Sequence, residues 1–266
     1  DQKGACTLKL EVRNLSFSFR CREVLRGVSF SVDRGEFLSV LGPNSVGKST
    51  LFRCILGIYP DYAGRIAVDG DEIRSLSRYQ LADRIAYIPQ IHRPTFGYSV
   101  LDTVLMGTTH HLSPFTQPKA KQITQAQQAM EWLGVTHLAN RNFARLSGGE
   151  QQLVLVARAV AQQADILVMD EPTSSLDYGN QLRVLQRVCQ LTDKGYTVLL
   201  STHNPQHALT FSHRVLALSD GRVAAWGKAD HVLTDELIRL LYQVEVDFLE
   251  TEEGPVIVPR KGVGLI

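Results

Sequence analysis

Several things are scarce in this chain, and each scarcity narrows what it can be. No run of about 18 consecutive apolar residues occurs, so no membrane-spanning helix is expected. The stretch from Asp1 to Glu11 has no apolar core of the kind a signal peptide needs. Cysteine is sparse: Cys6, Cys21, Cys54 and Cys189 lie far apart with no C-x-x-C spacing. That scatter argues against a zinc site and for free thiols in a reducing compartment. Neither sign of charge dominates, with 28 Lys+Arg against 27 Asp+Glu. No basic stripe points to nucleic acid. No internal repeat is visible. Size is not lacking: 266 residues fit one large α/β domain or two small ones and bury a core without staples.

What the chain does have is concentrated at Gly42, Pro43, Asn44, Ser45, Val46, Gly47, Lys48, Ser49 and Thr50. This stretch satisfies G-x-x-x-x-G-K-[ST], the phosphate-binding loop. An apolar run, Phe37 to Leu41, precedes it, and Leu51, Phe52, Ile55 and Leu56 follow at helical spacing. The order is therefore strand, loop, helix. Successive backbone N–H groups in such a loop point into one concavity, and a helix N-terminus adds positive charge. Lys48 is placed to reach the β- and γ-phosphates, and the Ser49 hydroxyl to sit on Mg²⁺.

Upstream, Leu8, Leu10 and Val12, then Val28, Phe30 and Val32, alternate with polar residues, as in antiparallel strands. Phe17 and Phe19 lie between them; periodicity alone places both against a sheet core, while an aromatic just before a phosphate loop also suits adenine stacking. Gly64 to Gly70 reads as a strand ending in an Asp-Gly turn, and Arg84 to Gln90 as a buried strand stopped by Pro89. Gln90 then falls at a strand end, where open α/β sheets collect ligand contacts. Residues 91–145 carry few strand signals. Val100 to Met106 and Lys119 to Leu133 read as helices of an inserted subdomain, with the run from Gln122 to Gln128 as a solvated helix face.

Leu146-Ser147-Gly148-Gly149-Glu150 opens an apolar helix with the S-x-x-E spacing of a capping box. Two glycines in a first turn cost about 1 kcal/mol each relative to alanine, which implies a need for backbone access there. Ile166 to Met169 is a short buried strand ending in Asp170-Glu171-Pro172. An acid in that place, downstream of a phosphate loop, positions Mg²⁺, and Glu171 is then the candidate general base. Asp177 starts a further helix. His203 ends the buried strand Thr197 to Thr202, on the side where the other motifs gather. A hairpin about Asp220-Gly221, two helical stretches from Ala229 to Tyr242 and β-like residues at Val244 to Leu249 and Val256 to Val258 complete the chain. His110 and His111, adjacent in a polar loop, read as solvent-exposed rather than as metal ligands.

Taken in order, Gly42 to Thr50, Gln90, Leu146 to Glu150, Ile166 to Glu171, Ser174 to Asp177 and His203 resemble the ATP-binding subunit of an ABC transporter, across essentially the whole chain. Val100 to Gly107 and the tail Glu253 to Pro259 resemble the branch that powers import of iron-siderophores, haem and vitamin B12. The resemblance implies a RecA-like P-loop core with a mostly parallel central sheet, formed by 36–61, 76–90 and 150–266. It implies an antiparallel β subdomain at 8–35 and 62–75, and a helical subdomain at 91–149.

The same resemblance implies ATP and Mg²⁺ as ligands and a head-to-tail dimer with a second copy of the chain. Gly42 to Thr50 of one copy and Ser147, Gly148, Gly149 and Glu150 of the other would hold each ATP. Gln90 would touch Mg²⁺ and the attacking water; Asp170 would hold Mg²⁺; Glu171 would activate the water. His203 would contact the γ-phosphate, Asp177 would link the two sites, and Phe19 takes the place of the aromatic that stacks on adenine. Two membrane-spanning permease subunits, and indirectly a solute-binding protein, are the implied partners, with the chain peripheral on the cytoplasmic face of the inner membrane. A soluble ABC-type ATPase of a non-transport assembly, such as iron–sulfur cluster building, is the alternative. One departure stands out: the family usually has Gly where this chain has Ser45.

Overall fold

The computed structural model describes residues 8–90, 97–109 and 117–260. In chain order its first elements are β1 (Leu8–Phe19), β2 (Arg22–Asp33), β3 (Phe37–Leu41), α1 (Lys48–Ile55), β4 (Ala63–Val68) and β5 (Asp71–Glu72). Next come α2 (Arg78–Ala82), β6 (Ile85–Ile88), α3 (Val100–Leu105), α4 (Ala120–Trp132), α5 (Gly148–Ala161), β7 (Ile166–Met169) and α6 (Tyr178–Thr192). The last are β8 (Thr197–Thr202), α7 (Pro205–Phe211), β9 (Arg214–Ser219), β10 (Arg222–Lys228), α8 (Ala229–Val232), α9 (Asp235–Tyr242), β11 (Val246–Thr251) and β12 (Gly254–Pro259). They fall into two compact units: the chain up to Ser75 with the chain from Thr197 onward, and Leu76–Tyr196.

In the first unit, β1 pairs antiparallel with β2 on one side and β4 on the other, placing Val12 opposite both Phe30 and Ile66. Leu10 and Val12, then Leu15 and Phe17, turn inward in alternation, with a register shift between Val12 and Leu15 that returns the second pair to the same face. The turn from β4 to β5 is Asp69-Gly70, with φ of 51° and 85°, the left-handed pair that a two-residue hairpin needs. Asp69 also receives the fully buried Lys9 ammonium at 2.7 Å.

A second layer of this unit has β3 running parallel between β8 and β9, with Leu41 beside Thr202 and Ala217. All five residues of β3 are buried, as expected of a strand that is apolar but for Ser39. Because β3 and β8 are parallel and in register, Gly42 and His203 leave the sheet at the same edge. β9 and β10 form the hairpin about Asp220-Gly221. Leu237, Ile238 and Leu241 of α9 join Val215, Ala217, Leu233 and Val246 in one apolar cluster. The β11–β12 hairpin lays Phe248 and Ile257, a cross-strand pair, against it.

In the second unit, β6 and β7 are parallel, with Ile85 beside Ile166 and Ile88 beside Met169. Helix α5 buries Val154, Leu155, Val156, Ala157 and Val160. Helices α3 and α4 pack on it, burying Val100 and Val104 from one and Ala126, Ala129 and Met130 from the other. Ser77 and Ser99 close capping boxes at the starts of α2 and α3.

Candidate functional site

In the first unit the phosphate loop joins the end of β3 to α1. Gly47 has φ of 114°, and a Cβ there would come within 2.9 Å of Leu25 Cδ2, so only glycine fits the turn. Lys48 is buried, and its Nζ donates to the carbonyl oxygens of Gly42 at 2.8 Å and Pro43 at 3.1 Å. The ammonium is thus curled over the loop it belongs to. Helix α1 has no side-chain cap and no acid in its first turn among the described residues. Its leading N–H groups and Lys48 form a donor-only set, which suits a polyphosphate. Ser45 stands exposed with φ of 64°, a left-handed conformation that costs a residue with a Cβ roughly 1 kcal/mol.

Phe19 ends β1 and keeps 45% of its surface exposed, against 8% for Phe17. The periodicity that put both rings in a core holds for Phe17 alone. His203 is exposed just beyond β8. One turn further on, burial and then the nearby His203 push the His207 imidazole below its usual value.

In the second unit, the parallel register of β6 and β7 delivers Gln90 and Glu171 to the same sheet edge, each two residues past a paired strand end. Gln90 Nε2 donates to Glu171 Oε2 at 3.3 Å. Asp170 is buried, and its N–H donates to the Ile88 carbonyl at 2.9 Å, prolonging the strand by one residue. Glu171 then turns out of line with φ of 44°. Such a conformation in a non-glycine residue at a strand end is the kind of strain that functional positions hold. Within this unit the carboxylate of Asp170 and the amide oxygen of Gln90 are hard oxygen donors at one sheet edge; the Ser49 hydroxyl of the first unit is a donor of the same class, and each by its chemistry suits Mg²⁺.

Ser147 caps α5 in a full capping box. Its Oγ donates to Glu150 Oε2 at 2.7 Å, its N–H donates to the same oxygen at 2.8 Å, and Glu150 N–H returns a bond to Ser147 Oγ at 3.4 Å. The bond from the Ser147 hydroxyl, then that from its backbone, holds the Glu150 carboxyl below its usual value. Asp177 caps α6, accepting from Asn180 N–H at 2.9 Å and Asn180 Nδ2 at 2.7 Å. Those two bonds lower its pKa, the backbone one contributing more.

The chain matches the ABC transporter family over residues 25–174. It belongs to that family. A molybdate import ATP-binding protein of Haemophilus influenzae is 37% identical over 237 residues, covering 88% of either chain. An iron chelatin transport ATP-binding protein of Helicobacter pylori is 35% identical over 250 residues, covering 93% of this chain and 98% of the relative. Among solved structures, an inward-facing metal-chelate type ABC transporter superposes with a TM-score of 0.84 at 34% identity, covering 96% of this chain and 98% of that one. The fold is therefore the RecA-like α/β architecture of ABC ATP-binding subunits, and the chain is an ATPase of that class.

Two residues of this ABC subunit had no signal in the motif reading. Asn180 is one. A Cβ on Gly149 would lie 2.6 Å from Asn180 Cγ and Oδ1, so Gly149 is required by the close approach of α5 and α6 within one chain. The backbone access expected of Gly148 and Gly149 is thus not the sole reason for glycine: packing already accounts for Gly149. A Cβ on Gly148 would meet only the tip of Leu176, at 3.1 Å. Tyr59 is the other, seen only once the rings are in place. Cys6, His110 and His111 lie outside the described residues.

Proposed function

We propose that this chain powers import through separate membrane-spanning subunits by closing and opening as a homodimer around ATP. The observation that carries the reading is the pairing of Gln90 with Glu171 at one sheet edge, in a chain that also holds a complete phosphate loop. Lys48 Nζ and the N–H groups at the start of α1 bind the β- and γ-phosphates. Phe19 offers its exposed ring to the adenine. His203 contacts the γ-phosphate. Glu171 Oε2, steered by Gln90 Nε2, takes the proton of the attacking water. Mg²⁺, held through Ser49, Gln90 and Asp170, would supply charge neutralisation on the leaving phosphate oxygens.

Ser147 to Glu150 act on the nucleotide of the partner copy, and Asp177 joins the two halves. Closing and reopening of the dimer moves the helical segment of 91–149, which presses on a cytoplasmic loop of the permease. No helix among the described residues is long and apolar enough to cross a membrane, in keeping with a peripheral subunit of a larger complex. The names of the relatives support a metal chelate or oxyanion as cargo; iron-siderophore, haem and cobalamin are the candidates carried by the tail and by Val100 to Gly107, and on this reading a solute-binding protein delivers the cargo.

Two measurements test this. The Glu171→Gln protein should bind MgATP, hydrolyse it at a small fraction of the wild-type rate and run as a dimer on size exclusion. A variant that stays monomeric with MgATP, even beside its permease, would remove the shared-nucleotide mechanism. Purification from native membranes should bring down a polytopic protein; recovery of a wholly soluble complex would favour the non-transport assembly.

A further inference from the structure

Three aromatic rings meet beside α1. Phe17 and Tyr59 are stacked nearly parallel, with centroids 5.0 Å apart and planes 8° off. Phe19 stands perpendicular to both, 4.9 Å from Phe17 and 5.3 Å from Tyr59. The three centroids make an almost equilateral triangle. Perpendicular contacts of this kind bring a positive ring edge to a negative face and fix orientation as well as distance. Phe19 is therefore held by two rings while nearly half of its surface stays open.

Tyr59 is in turn fixed to α1. Its backbone N–H donates to the Arg53 carbonyl at 3.2 Å. Its hydroxyl accepts from Arg53 Nη1 at 2.8 Å, and the Arg53 guanidinium carbon lies 5.7 Å from its ring centre. Arg53 sits in the last turn of α1, the helix that begins at Lys48. Over its eight residues, roughly 12 Å of rise, one helix carries the phosphate donors at its start and the brace of the aromatic triangle at its end.

We propose that Tyr59 is a positioning residue for nucleotide-base recognition, fixing the ring of Phe19 in the orientation that receives a purine, with Arg53 holding Tyr59. The proposal rests on the reading of Phe19 as the adenine platform. Tyr59 acts through Phe19 and makes no contact of its own with the phosphates. Its effect belongs to base binding alone: ligands with a purine sense it and ligands without one do not.

Calorimetric titration of the full chain with ATP, and with inorganic tripolyphosphate as a probe lacking a base, separates the terms. Phe19→Ala should weaken ATP several-fold and leave tripolyphosphate unchanged. Tyr59→Ala and Tyr59→Leu should each weaken ATP roughly three- to tenfold, the worth of one lost aromatic pair, with tripolyphosphate again unchanged. The leucine variant keeps apolar bulk should alanine disturb folding. Tyr59→Phe, which keeps the ring and loses only the bond from Arg53, should fall within about threefold of wild type. The double variant Phe19→Ala with Tyr59→Ala should be no weaker than Phe19→Ala alone. If Tyr59→Leu weakens ATP and tripolyphosphate equally, leaves ATP unchanged, or adds its full effect to that of Phe19→Ala, the positioning role is overturned. If Phe19→Ala leaves ATP affinity unchanged, the platform reading itself fails, whatever Tyr59 does.

Discussion

Gln90 Nε2 reaches Glu171 Oε2 at 3.3 Å, joining the end of one buried strand to the end of its parallel neighbour. A carboxylate that accepts from an amide donor is held in orientation, which suits a base that must accept a proton. Glu171→Gln is expected to retain ATP binding and to lose at least roughly 100-fold in phosphate release, the usual worth of a positioned base. Gln90→Ala should lower turnover with a smaller change in ATP affinity. Phosphate release and nucleotide titration on the same preparations check both, and wild-type turnover in Glu171→Gln would remove Glu171 from the chemistry.

Lys48 is buried and spends its ammonium on the carbonyls of Gly42 and Pro43. Lys48→Ala should therefore do two things: weaken ATP by at least roughly 30-fold and loosen the loop itself. Equilibrium dialysis measures the first, and hydrogen exchange across Gly42 to Ser49 the second. Retained binding would count against the loop as the phosphate site.

Ser45 holds φ of 64°, a left-handed conformation that glycine adopts without steric cost. Ser45→Gly relieves about 1 kcal/mol of backbone strain but adds chain entropy of about 0.5–1 kcal/mol in the unfolded state. The melting temperature should accordingly move by no more than about 2 °C. The affinity for ATP should change, because the N–H groups around residue 45 are then free to rearrange. An identical Kd in both forms would show that the strain has no bearing on binding.

The capping box at α5 carries a pH signature. Ser147 holds the folded-state pKa of Glu150 below the ordinary value of 4.5. The stability that follows is fully present above the unfolded value and is lost as pH falls through the lower folded one. Ser147→Ala should cost about 1 kcal/mol near neutrality. The difference in urea midpoint between wild type and Ser147→Ala should narrow between pH 7 and pH 3, since acid removes the carboxylate from both. A difference that widens in acid would contradict the assignment.

Gly149→Ala tests the contact between α5 and α6. Its new Cβ would overlap Asn180, whose side chain is held by Asp177, so overpacking of about 1–3 kcal/mol is expected. Asn180→Ala should restore part of that loss when combined with Gly149→Ala. Thermal unfolding of the two single variants and the double variant measures the coupling.

The residues that were legible in the sequence are those whose chemistry depends on local order. Gly42 to Thr50 is one continuous stretch of loop and first helical turn, and Ser147 to Glu150 is one helix start, so spacing alone exposes both. The elements followed in the same way: the expected helix from Lys119 to Leu133 is Ala120–Trp132, and the Asp-Gly turns close hairpins at Asp69 and Asp220. Helix α2 has five residues, too few for a periodic signal, and only the Ser77–Gln80 capping box at its start marks it. Tyr59 and Asn180 stayed hidden for a different reason. Their roles come from tertiary approach, of Tyr59 to rings some forty residues earlier and of Asn180 to a glycine thirty-one residues before it, and no local pattern encodes that. The alternation that put Phe17 and Phe19 in one core failed at the strand end, where the register shifts and the last ring swings out.

Asn180 sits against Gly149 without a gap and is bonded to Asp177 by two hydrogen bonds. The beginnings of α5 and α6 are for that reason one stiff corner with no slack in it. A displacement of α5 would therefore reach Asp177 through the Asn180 side chain, which couples the two motifs by direct packing.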